Sequence, residues 1–68
     1  MRVMNRIKQE RINKGLPQTE AAKLIGISSG MLAMIEIGKR QGSDEVKKKI
    51  AKFYGKSVGY LFFNETLT

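Results

Sequence analysis

One segment, residues 17–40, constrains this chain more than any other: PQTEAAKLIGISSGMLAMIEIGKR. Aliphatic residues recur at helical spacing in two runs of about two turns each. Pro17 suits the start of the first run, because its ring-fixed φ and missing N–H do no harm there. Gly26 ends that run, Ile27 plugs the turn, and Ser28 can cap the next run by accepting a backbone N–H. Ala22 is small enough to let another helix backbone approach. The segment reads as two short helices, about 18–25 and 29–36, joined by a tight turn. Gly38 stops the second, and the polar loop Lys39-Arg40-Gln41-Gly42 follows.

Three further helices complete the pattern, with no strand signature, repeat or low-complexity linker. The first runs from about Val3 to Lys14 and ends at Gly15. Its apolar stripe of Val3, Met4 and Ile7 is thin, its inner face turns polar at Glu10 and Arg11, and Ile12 is out of phase. In the second helix Ala21, Leu24 and Ile25 are expected to face inward; in the third, Leu32 and Ile35, with Met31 at the margin. Ser43 caps a fourth helix, about Asp44 to Tyr54, in which Val46, Ile50 and Phe53 recur at i, i+4 and i+7. Ser57 can cap a last short helix ending near Phe63, with Val58, Leu61 and Phe62 apolar. The expected architecture is all-α, one domain over residues 1–68.

Composition narrows the function. Thirteen Lys and Arg against six Asp and Glu give a net charge of +7 in 68 residues, and His and Cys are both absent. An excess of positive charge suits polyanionic partners. Acid–base catalysis usually draws on His or on carboxylates with shifted pKa, and here only Asp44 and Glu45 are adjacent, at a helix start where the backbone dipole favours them. The chain is therefore not expected to be an enzyme, and no metal site and no cofactor are expected. Zero Cys excludes disulfides and suits a reducing cytoplasm. No apolar run is long enough for a membrane span, and so short a chain leaves little room for a small-molecule ligand.

These residues resemble a known group. GLPQTEAAKLIGISSGMLAMIEIGKR, followed by KKKIAKFYGKSVGYLF, is similar to the lambda-repressor-like Cro/CI (XRE) helix-turn-helix proteins, over about Ile7 to Phe62. Phage and mobile-element regulators of Gram-positive bacteria look especially alike. The resemblance implies a compact five-helix bundle that binds double-stranded DNA, with its third helix in the major groove. It places Ser29, Gly30, Ala33 and Met34 on the base-reading side. It assigns phosphate contacts to Gln18 and to Lys39, Arg40 and Gln41, with the helix starts at Ser28 and Ser43 as further anion-holding points. It also implies a largely buried salt bridge between Arg11 and Glu36.

The base-reading surface departs from the group's pattern, since only Ser29 there can hydrogen-bond through its side chain. Ala33 and Met34 could meet thymine methyl groups; alternatively, the apolar face meets a protein, as in an antirepressor or antitoxin-like partner. Ile37 stands where relatives often carry Asn, which removes one phosphate contact. The Lys47–Lys49 run reads as a solvated face. Tyr60, Phe62, Phe63 and Leu67 exceed what so small a core can hide. Leu61 and Phe62 are expected to close the bundle, and Tyr60, Phe63 and Leu67 to form a homodimer interface. The expected function is a transcription regulator, in the first instance a repressor on a palindromic operator.

Overall fold

The computed structural model describes residues 5–63. Five helices follow one another: α1 (Arg6–Asn13), α2 (Gln18–Ile25), α3 (Ser29–Glu36), α4 (Asp44–Tyr54) and α5 (Val58–Phe62). No strand occurs among the described residues. Four of the helices begin on a side chain that accepts an otherwise orphaned backbone N–H. Ser28, Ser43 and Ser57 each accept from the residue three positions on, at 3.0, 3.3 and 3.0 Å. α2 instead starts behind Pro17, which makes no side-chain cap bond.

The fourth cap is Asn5, and it shortens the expected first helix. Its Oδ1 accepts from the Ile7 and Lys8 backbone N–H groups at 2.8 and 3.2 Å. Its Nδ2 donates to the Ile35 carbonyl at 3.1 Å, so one side chain opens α1 and holds the end of α3. Val3 and Met4 lie outside the described residues, and Ile7 is the one buried apolar residue of α1.

α2 and α3 form the tight pair that the Gly26 turn dictates. Gly26 adopts φ 96°, a left-handed conformation that side chains rarely tolerate. The N–H groups of Gly26 and Ile27 both close onto the Ala22 carbonyl, at 2.9 and 3.0 Å. Ala21 and Ala22 are fully buried, which is what permits the close approach. α4 lies against α2 and α5, and α1 rests on α3 and α5. Every helix contributes to the shared core: Ile7, Ala21, Ala22, Ile25, Leu32, Ile35, Ile50, Ala51, Tyr54 and Leu61.

Two expectations about facing are corrected. Leu24 is 55% exposed, not inward. The buried side of α2 is centred on Ala21, Ala22 and Ile25, and Leu24 falls at its edge, where no neighbouring helix covers it. In α4 the buried residues are Ile50, Ala51 and Tyr54. Val46 and Phe53 are only partly covered, packed against the core. The face is rotated by about one residue, and the rotation carries Lys47 toward α5.

Candidate nucleic-acid interface

α3 divides cleanly into two sides. Leu32, Ile35 and Glu36 point into the protein and are buried, while Ser28, Ser29, Gly30 and Ile37 are exposed. At about 100° per residue, Gly30 and Ile37 lie along the middle of the outward side, with Ala33 and Met34 flanking that line. Ala33 and Met34 are accordingly half-buried rather than open. Ile37, at 64% the most exposed large apolar residue described, belongs to this face, although the sequence pattern marks it only as a missing phosphate ligand. The spacing does carry the signal: Ile37 stands seven positions beyond Gly30, two full turns along one helix line.

The inward side is fixed by an ion pair. Arg11 Nε donates to Glu36 Oε2 at 2.8 Å and Nη2 to Glu36 Oε1 at 3.2 Å, a two-point contact. Arg11 Nη1 donates to the Leu16 carbonyl at 2.8 Å, which draws the α1–α2 connection into the same cluster. The Glu36 side chain is 2% exposed and that of Arg11 13%. The hydrogen bond to Glu36 raises the Arg11 guanidinium above its ordinary value, so the guanidinium stays charged. The hydroxyl of Tyr54 is buried with no protein partner among the described residues. Burial first, and the nearby Glu36 carboxylate second, push Tyr54 up to about 12.

Gln18 belongs to this cluster as well. It is half-buried, and its Nε2 donates to Glu36 Oε1 at 3.1 Å. One amide hydrogen is thereby used, and the second is a further donor at the start of α2. A side chain assigned by resemblance to phosphate contact thus also has a structural partner. Ser28 and Ser43 accept cap bonds through Oγ, which leaves each hydroxyl hydrogen able to donate.

The basic loop is built onto the end of α3. The N–H groups of Lys39 and Arg40 share the Met34 carbonyl at 3.0 and 3.3 Å, so both residues are anchored by backbone while their side chains are exposed. Gln41 is exposed, and with Arg40 it lines a shallow cleft against Asn5, Ile35, Leu61 and Phe62. Gly42 then turns the chain into α4 at φ 81°. A Cβ there would stand 2.9 Å from Val46 Cγ1, so the position excludes other residues twice over. Exposed cations therefore stand directly behind the outward face of α3.

Comparison with known families matches residues 7–61 to one described as helix-turn-helix. The match runs from the first core residue of α1 to the last of α5. This chain belongs to the lambda-repressor-like helix-turn-helix family. A similar protein is an uncharacterised HTH-type transcriptional regulator of Methanocaldococcus jannaschii, 36% identical over 61 residues. The alignment covers 90% of this chain and 92% of that relative. No solved structure matches the chain.

In this helix-turn-helix protein the remaining described candidates, Tyr60 and Phe63, lie in or next to α5. Leu61 is buried and Phe62 packs against the core. Tyr60 is half-buried, with the Arg6 guanidinium 4.2 Å from its ring centroid and Lys56 Nζ at 5.8 Å. Arg6 Nη1 also donates to the Tyr60 carbonyl at 3.0 Å. Phe63 is 54% exposed, and Lys47 Nζ lies 5.3 Å from its ring and 5.9 Å from that of Phe62. Lys47 thus covers aromatic rings with its stem and charge, whereas Lys48 and Lys49 are exposed. Leu67 lies outside the described residues. No helix among the described residues is long and apolar enough to cross a membrane.

Proposed function

We propose that this protein is a sequence-specific DNA-binding transcription regulator, acting as a homodimer repressor on a palindromic operator. The observation that carries this reading is the adjacency of α3's outward face to the exposed Lys39, Arg40 and Gln41. α3 would lie in the major groove with Ser29, Gly30, Ala33 and Met34 toward base edges. Gln18, Ser28, Lys39, Arg40, Gln41 and Ser43 would hold phosphates, which position the protein without reading sequence. The net charge of +7 supports a strong phosphate component. Two copies would enter successive grooves about 34–36 Å apart. Phe63 and Tyr60, together with Leu67, which lies outside the described residues, are the residues assigned to self-association, and blocking polymerase would need no further machinery.

The name of the archaeal relative supports regulation of transcription as the setting. A second reading, a protein-interaction module, draws on the absence of any hydrogen-bonding side chain at Ala33, Met34 and Ile37. Salt separates the two. Duplex binding should weaken with a logarithmic slope of about −0.9 per phosphate neutralised, and an apolar protein contact should hardly respond. Selection of bound fragments from a random duplex pool at near-physiological salt tests the first reading directly. Recovery of a palindrome is the expected result; recovery of no enriched sequence would overturn sequence-specific recognition.

A further inference from the structure

We propose that the aromatic face of α5, with the cations laid over it, is a docking surface for an acidic segment of another protein, one in which carboxylates alternate with bulky apolar side chains. Docking goes beyond the DNA-binding reading. Its effect, competition with a second copy of the chain, rests on the self-association part of that reading. The Phe63 N–H closes onto the Gly59 carbonyl at 2.9 Å, so the helical turn carries Phe63 round to the side of Tyr60, three positions earlier. Phe63 is 54% exposed. Arg6 and Lys56 lie over the Tyr60 ring at 4.2 and 5.8 Å, and Lys47 over the Phe62 and Phe63 rings at 5.9 and 5.3 Å.

Three long cationic side chains thus converge on one short helix, from α1, from α4 and from the α4–α5 connection. Their ring contacts hold them in place, so part of the ordering that binding demands of Lys and Arg is already done by the fold. No carboxylate pairs with Lys47 or Lys56 among the described residues. Charge then selects the occupant. A second copy brings the same three cations to the contact, and like charges oppose it; an acidic segment meets them with the opposite sign. The exposed Phe63 ring asks for an apolar side chain as well, because a purely acidic chain would leave it in water. Nucleic acid fits this surface less well. It uses aromatic side chains by stacking bases on their faces, whereas here a cation already lies over each ring, and Tyr60 and Phe62 also pack against the core.

The test uses the full chain and a fluorescein-labelled peptide of alternating glutamate and leucine, with oligoglutamate of the same charge for comparison. The glutamate–leucine peptide should bind about tenfold more tightly, as expected from partial burial of one or two apolar side chains. Lys47→Glu and Lys56→Glu should each weaken it by about fivefold, since reversal turns one modest attraction into a repulsion. Phe63→Ser should bring the two peptides to equal affinity. Circular dichroism checks that the variants keep their helices. Equal affinity of the wild-type protein for both peptides would overturn the proposal, as would indifference to both lysine reversals. A larger loss from Lys39→Glu than from Lys47→Glu would also overturn it, by placing the peptide at the loop behind α3. Oligothymidylate that binds more tightly than the peptide, with the same sensitivity to Lys47→Glu, would make this a nucleic-acid surface instead. Sedimentation reads the competition: saturating peptide should convert dimer to monomer. A chain that is monomeric without peptide removes the self-association reading, while peptide held at α5 still supports the docking surface.

Discussion

Gln18 Nε2 donates to Glu36 Oε1 at 3.1 Å, joining the first residue of α2 to the last residue of α3. Because Arg11 supplies two further donors to Glu36, a single carboxylate holds three parts of the chain. The relative placement of the two helices thus depends on a buried charge as well as on the Ala22 contact.

Removing that carboxylate should be severe. Glu36→Ala strands Arg11, and the loss of one partner of a buried pair costs on the order of 3–5 kcal/mol. Urea denaturation of the variant should show a midpoint far below that of the wild type. Gln18→Ala removes one hydrogen bond to a charged group and should cost about 1.5–3 kcal/mol. An unchanged midpoint for Glu36→Ala would mean that the pair contributes nothing to the fold.

Gly42→Ala should also destabilise, for a different reason. The residue would have to hold φ 81° and place its methyl 2.9 Å from Val46 Cγ1. The backbone conformation alone costs roughly 1–2 kcal/mol for a non-glycine residue. Thermal unfolding should shift downward by several degrees. A variant as stable as the wild type would show that the loop relaxes freely.

Tyr54 predicts an alkaline limit. Its phenol is pushed from an ordinary 10.0 up to about 12, chiefly by burial and then by Glu36. The folded protein therefore holds this proton more tightly than the unfolded chain. The associated stability is whole below about pH 10 and disappears as pH rises through about 12. Tyr54→Phe deletes the titrating group together with a hydroxyl that has no partner among the described residues, so near neutral pH it should be neutral or stabilising by about 1 kcal/mol. Stability measured against pH should fall less steeply above pH 10 in the variant than in the wild type; parallel curves would place the loss on other groups.

Self-association through α5 should respond to salt in the opposite sense to DNA binding. Lys47 lies over Phe62 and Phe63, and Arg6 and Lys56 flank Tyr60. Pairing two copies through Phe63 brings these cations toward one another, a repulsion that salt screens. Sedimentation should show a dimer that strengthens as salt rises, while duplex binding weakens. Phe63→Ser should abolish the dimer, and a variant that dimerises normally would move the interface elsewhere.

The helices and the turn were legible because local signals agreed: Pro17, Gly26, Ser28, Ser43 and Ser57 each mark a boundary by their own chemistry. What could not be read was set by neighbours. Phe53 and Tyr54 are adjacent aromatics, and which one is buried depends on the rotation of α4 against α2 and α5. Leu24 carries an inward-looking residue type at a place no helix covers. The Asn5 cap is hidden in the sequence because Val3 and Met4 extend the apolar pattern past it, although Asn is among the strongest caps. By spacing Lys47 is part of a solvated run, and only the position of α5 shows that it lies over the Phe62 and Phe63 rings. Among the proposed contact residues, Gln18 shows the same limit, since its bond to Glu36 is a long-range fact that spacing does not encode.

The two-sided arrangement of α3 has an evolutionary corollary. Anchoring residues and outward residues alternate along one short helix without sharing a role, so changes at positions 30 and 37 leave the interior untouched. On the proposed DNA-binding reading, a lineage carrying this framework would exchange its target by small steps, each intermediate remaining folded, and grafting the outward positions between homologues should transfer preference without redesign of the interior.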